Sequence, residues 1–199
     1  SAFAETLSAD MAEGMRLAVE ILRETGQRRG FAGGIGGIGA VEVRDRGGRI
    51  SLVGHMKGRA LEEFFLTERT AGLVLAYQAG ARQRLERGRP TISALILNTR
   101  GAVLTETHFG DLFHKAAVRA GVPAATPHSP RFVAMADLAR AGNTPQQIAD
   151  QIRVSVKMVE RYLAGAGVKP GLPEGQFLPG TRGAAPSEVA DVPSLASIA

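Results

Sequence analysis

The run Thr126-Pro127-His128-Ser129-Pro130-Arg131, followed later by Tyr162, carries the side chains best suited to chemistry on a phosphate. Tyr162 is one of 2 tyrosines, the other being Tyr77, so its placement is informative. An arginine fork holds two non-bridging phosphate oxygens at once and stays charged. A tyrosine is a competent nucleophile once helped to lose a proton that it ordinarily holds up to a pH of about 10. Breaking a phosphodiester without metal or cofactor needs three things. They are a nucleophile, donors for the non-bridging oxygens and an acid for the leaving oxygen. His128 and Arg131, three apart at an expected helix start, share one helix face and supply the second and third. The plainer alternative is a helix start whose surface happens to bear His and Arg.

The elements that must position these groups can be read from periodicity and punctuation. Residues 8–25 read as a helix, with Ser8 or Asp10 as cap, Met11, Met15, Ala18, Val19 and Leu22 at helical spacing, and Gly26 as stop. Strands are expected at 41–43, 50–53 and 64–66, with Gly47-Gly48 at one turn and Lys57-Gly58 at another. Residues 69–87 read as one helix with an Arg-rich end at Arg82, Arg84 and Arg87. A short strand at 94–97 precedes a helix at 105–120. Two or three more helices follow over 128–141 and 145–163. After Gly165 the chain is rich in Gly, Pro, Ala and Ser, which predicts a disordered tail over 166–199 behind a domain of residues 1–165. The fold class is α+β, mainly helical with one small antiparallel sheet.

The composition narrows the function classes. The 199 residues are 44% apolar, enough for a real core, and the net charge is +5 with Arg dominating, which favours a polyanionic partner. There is no Cys, so disulfides, zinc-thiolate sites and thiol catalysis are excluded. The four histidines, at 55, 108, 114 and 128, include no helical metal pair. No apolar run reaches the roughly 20 residues that span a bilayer, and no signal peptide is visible, so a cytoplasmic protein is expected. Gly34, Gly36 and Gly39 have formal dinucleotide-loop spacing. A basic helix end precedes them and a strand follows, the reverse of what such a loop needs.

With its surroundings, the His128–Arg131 box resembles the tyrosine recombinase (phage integrase) family. The resemblance lies in Thr126 to Phe132, Leu138-Ala139-Arg140-Ala141-Gly142, Ile148, and Val156-Lys157-Met158-Val159-Glu160-Arg161-Tyr162. Residues 98–105, Phe113-His114-Lys115-Ala116-Ala117 and Ala120-Gly121-Val122 look like the family's approach to that box. Thr25-Gly26-Gln27-Arg28 resembles the segment supplying the first catalytic arginine, which points to Arg28. Met56-Lys57-Gly58-Arg59 resembles the hairpin bearing the catalytic lysine, which points to Lys57. The likeness spans about residues 15–163 and implies a DNA strand-breaking and rejoining enzyme. Tyr162 would form a 3′-phosphotyrosyl link, Arg28 and Arg131 would hold the phosphate, Lys57 would protonate the leaving oxygen, and His128 would assist. Double-stranded DNA is the implied partner, with a tetramer on two sites, and no cofactor, small-molecule substrate or membrane is implied.

Departures are concentrated at particular places. The family's second His, or Trp, before the tyrosine falls on Ile152-Arg153-Val154, where Arg153 alone could donate to phosphate. Phe132 replaces the His that commonly follows the second arginine, and Phe31 replaces an acid expected after the first. The glycine-rich 32–39 stands where the family has a Leu-rich helix. A recombinase fold that binds DNA without cutting is therefore an alternative. Residues 146–162 also resemble a helix-turn-helix, with Ala149 at the crossing, Ile152 and Val154 flanking the turn, and Val159 in the core. In that alternative Tyr162 has no chemistry.

Overall fold

The computed structural model describes residues 2–30, 41–55, 61–87 and 94–168, with side chains from Ser8 onward and excluding that of His55. Lys57, the Gly34–Gly36–Gly39 spacing and the tail from 169 to 199 lie outside the described residues.

Helix α1 (Ala2–Thr25) starts earlier than its periodicity suggested. Asp10 is not its cap: it is buried inside the helix and pairs with Arg84 at 2.7 Å. The buried stripe of Leu17, Ala18, Ile21 and Leu22 follows the helical period and faces the core. Gly26 ends the helix at φ +62, and a Cβ there would stand 2.8 Å from Ile152, so backbone shape and close packing both demand glycine.

Three antiparallel strands follow, β1 (Glu42–Asp45), β2 (Ile50–His55) and β3 (Leu61–Phe65), in the order β1-β2-β3. Gly47 and Gly48 take left-handed φ values of +67 and +88 at the first turn, and the Asp45 carboxylate accepts from the Gly48 N–H at 2.7 Å. The third strand begins three residues before the expected 64, pairing Leu61 with His55 and Phe65 with Ser51. Its two glutamates, Glu62 and Glu63, disguise it as a polar loop.

The helix expected over 69–87 is two helices, α2 (Glu68–Ala79) and α3 (Ala81–Glu86), broken at Gly80 with φ −116 and ψ −97. The Arg-rich end turns inward in part. Arg82 is buried and donates to the Ala94 and Leu95 carbonyls and to Glu86. Residues 94–97 are not a strand of the sheet. They form a buried segment tied by Leu95 N–H to the Val41 carbonyl and by one bridge, Leu97 with Val103.

Four helices complete the described chain: α4 (Glu106–Arg119), α5 (Ser129–Arg140), α6 (Pro145–Ile152) and α7 (Val156–Gly165). Thr105, Thr144 and Ser155 cap α4, α6 and α7 through side-chain oxygens, each satisfying a backbone donor that the helix leaves free. The apolar core has two parts. The larger joins α1, the sheet and α2 to α4; the smaller joins α5, α6 and α7 through Met135, Ala139, Ile148, Ile152, Val159 and Leu163. Helix α1 packs along α5 and links the two. Val168 still packs against the smaller core, just beyond α7. Among the described residues no helix is long and apolar enough to cross a membrane.

Candidate active site

The end of α1, the start of α5 and the turn between α6 and α7 meet at one peptide oxygen. The carbonyl of Ile152, last residue of α6, accepts from Gln27 Nε2 at 3.4 Å and from Arg131 Nη2 at 3.4 Å. A helix C-terminus leaves its last carbonyls unsatisfied and carries the negative end of the dipole, so it attracts donors and cations. That contact aims Arg131 at the turn preceding the helix of Tyr162.

Arg131 itself is 6% exposed, and among the described residues no carboxylate pairs with it. Burial, and then the charge of Arg28, hold its guanidinium down to about 10, while Tyr162 acts in the opposite direction. It still carries its charge at neutral pH. A buried cation is normally retained only with a compensating anion, because desolvation costs several kcal/mol, on the order of the Coulombic gain from a good partner. Arg131 is thus suited to an anion supplied from outside the chain.

His128 occupies the N-cap of α5 without using its ring to cap it. The loop is instead held by backbone donors: Thr126 N–H to Ser129 Oγ at 2.9 Å and His128 N–H to Thr126 Oγ1 at 3.3 Å. The imidazole is shifted below its ordinary value, first by partial burial and then by the charges of Arg29, Arg28 and Arg131, with Glu106 opposing. Arg28, exposed just past the end of α1, acts on both His128 and Arg131. Tyr162 is half-buried on α7 and its ring lies 4.4 Å from that of Phe132, inclined by 43°. Such a pair adds about 0.5–1.5 kcal/mol beyond area burial and fixes the ring's direction. Phe132, at first sight only a lost polar group, thereby seats the tyrosine.

Arg28, His128, Arg131 and Tyr162 form one electrostatic neighbourhood. Arg153 takes φ +62 at the end of α6, and its Nε lies 3.7 Å from Glu62 of β3. It therefore reaches β3 with its side chain, while the peptide linking it to Ile152 accepts from Arg131; Lys57 lies outside the described residues. Sequence reading missed Gln27, Arg29 and Glu106. Gln27 is 1% exposed and bonds across to α6, and Arg29 pairs with Glu106 at 2.9 Å.

The α6–turn–α7 unit has the geometry that the helix-turn-helix reading anticipated. Ala149, Ile152 and Val159 are buried, and Ser155 and Lys157 are exposed. Its core, however, is shared with α5.

No family model matches the chain, and no curated protein matches it in sequence. Among solved structures it is similar to the XerH site-specific recombinase bound to palindromic difH substrate in a post-cleavage complex. The TM-score is 0.60 at 16% identity, over 81% of this chain and 46% of that one. The pre-cleavage complex of XerH with difH gives 0.59 at 16% identity, over 80% and 47%. The chain has the tyrosine recombinase catalytic-domain fold. At this identity the likeness concerns architecture, and the chain spans less than half the length of the XerH chains. Helices α6 and α7 share their core with α5, so they pack as part of a three-helix cluster.

Proposed function

We propose that this recombinase-fold domain cleaves and rejoins DNA strands through a covalent link between Tyr162 and a 3′-phosphate. The observation that carries the reading is Arg131: a buried guanidinium with no carboxylate partner among the described residues, flanked by Arg28 and His128 and adjacent to the helix of Tyr162. A scissile phosphate is the anion that such an arrangement would accept. In the step proposed, Tyr162 Oη passes its proton to solvent water and attacks phosphorus, an O–P bond forms, and the bond from phosphorus to the 5′-oxygen breaks. Arg28 and Arg131 hold the non-bridging oxygens as charge builds there. Lys57 gives a proton to the departing 5′-oxygen, and His128 donates to the phosphate or relays a proton. Attack by a 5′-hydroxyl on the phosphotyrosine reverses the step, conserving the bond without an external energy source. The reading includes a cytoplasmic setting, double-stranded DNA as partner and a tetramer acting on two sites, as the family resemblance implies.

The test is a nicked duplex library with a randomised centre, alongside nicked duplexes carrying the difH substrate. A protein–DNA adduct that survives denaturation and disappears in Tyr162→Phe supports cleavage. Measurable, salt-sensitive binding with no adduct on any duplex overturns it. That outcome favours a recombinase fold that binds without cutting, a second reading motivated by the place before Tyr162 where the family has His or Trp, held here by Arg153 with its side chain on Glu62.

A further inference from the structure

We propose that Glu106, on the first turn of α4, is the acidic positioning residue of this site, holding the Arg28–Arg29 segment beside the loop that carries His128. The inference rests on the phosphate-cleaving reading above for its purpose, but its geometry stands separately. The sequence lacks the acid expected after Arg28, since Phe31 occupies that place. An acid nevertheless reaches the segment from another helix: Glu106 Oε1 lies 2.9 Å from Arg29 Nε.

Two glycines make room for this pair. A Cβ on Gly30 would stand 3.0 Å from Glu106 Oε2, and a Cβ on Gly110 would stand 2.7 Å from Arg29 Nη1. Gly110 lies one turn after Glu106 within α4, where alanine would favour the helix. The same Cβ position is 4.0 Å from Pro127, which immediately precedes His128. Arg29 is therefore lodged between α4 and the His128 loop, and Glu106 secures it there.

The charges explain why an acid is useful. His128 is faced by Arg28 and Arg29 from the end of α1, by Arg131 from α5 and by Glu106 from α4. The three arginines disfavour its protonated form, and Glu106 favours it. Both partners of the pair are partly solvent-exposed, with side chains at 34% and 38%. An ion pair so exposed contributes little to stability, which makes placement its more credible role.

The experiment is an NMR titration of the His128 imidazole without DNA, in the unaltered chain, Glu106→Gln and Arg29→Gln. Glu106→Gln removes the favouring charge, so the midpoint moves down from the already lowered value. Arg29→Gln removes an opposing charge, so the midpoint moves up. Loss of folding would send both toward the ordinary 6.5, so a downward move in Glu106→Gln cannot come from unfolding. On nicked duplexes Glu106→Gln should lower adduct formation about tenfold to a hundredfold, the scale of a displaced positioning group. An unchanged or raised midpoint in Glu106→Gln overturns the proposal, as does undiminished adduct formation in that variant. If the unaltered chain forms no adduct, the cleavage reading fails while the titration still decides whether Glu106 governs His128.

Discussion

Arg82 and Arg131 are both buried arginines, 8% and 6% exposed, and they are treated in opposite ways. Arg82 has its donors met by two carbonyls of the 94–95 segment and by Glu86, a partner one helical turn away. Arg131 has one long bond to the Ile152 carbonyl and no acid beside it among the described residues, and Arg28 adds like charge. The first is a clip that completes a fold. In the cleavage reading proposed above, the second is a desolvated charge kept at the expense of stability for a phosphate to use.

The comparison breaks most sharply on cleavage. Arg131→Met should reduce adduct formation on nicked DNA by about 100-fold or more, the usual loss when one phosphate-stabilising donor is removed. Arg82→Met should leave the adduct formed per folded molecule nearly unchanged. If both variants lose it equally at matched folded fraction, the functional contrast is wrong.

Stability should reverse that order. Arg82→Met strands Glu86 and two carbonyls, and chemical denaturation should show a loss of about 3 kcal/mol. Arg131→Met removes a charge with little compensation, so its folding free energy should stay level or rise by about 1 kcal/mol. A large loss in Arg131→Met would mean that the Ile152 contact is structural first.

Gly26→Ala sharpens the same contrast from the backbone. It forces a side chain into φ +62 and against Ile152, so it should cost more than about 1 kcal/mol in a denaturant melt. Because Ile152 also anchors Arg131, DNA affinity should fall with it.

Proton linkage gives the smallest effect. His128 is held below its ordinary value, so the unfolded chain binds its proton first as pH falls. Its contribution to stability is intact above the ordinary 6.5 and declines as pH drops from there through the lowered value. His128→Asn should flatten that part of the stability profile. A steeper profile in the variant would show that the assigned direction is wrong.

The unequal treatment of the two arginines also explains what sequence could disclose. Periodicity found the helices because their cores follow a 3.6-residue spacing, and the His128–Arg131 box was visible because both partners are close in sequence. The break at Gly80 was hidden because glycine within a good apolar pattern is compatible with a continuous helix. The first three residues of β3 were hidden because Glu62 and Glu63 interrupt the apolar pattern. Within the site, His128, Arg131 and Tyr162 were legible as types and spacings, whereas Arg28 became a candidate only through family resemblance. Gln27 and Glu106 were invisible because their roles depend on contacts spanning 125 and 77 residues. The direction of Arg153 toward Glu62 had no sequence signal for the same reason.

The Ile152 carbonyl gives the site a built-in exchange of acceptors. A neutral peptide oxygen at 3.4 Å holds Arg131 only weakly, and a phosphate oxygen makes the stronger, charge-assisted bond. Any anion that draws Arg131 away leaves the Ile152 carbonyl to Gln27 alone, four residues before α7 begins. In the cleavage reading, phosphate affinity and the seating of the tyrosine helix would then be two sides of one equilibrium, each altering the other by the same free energy.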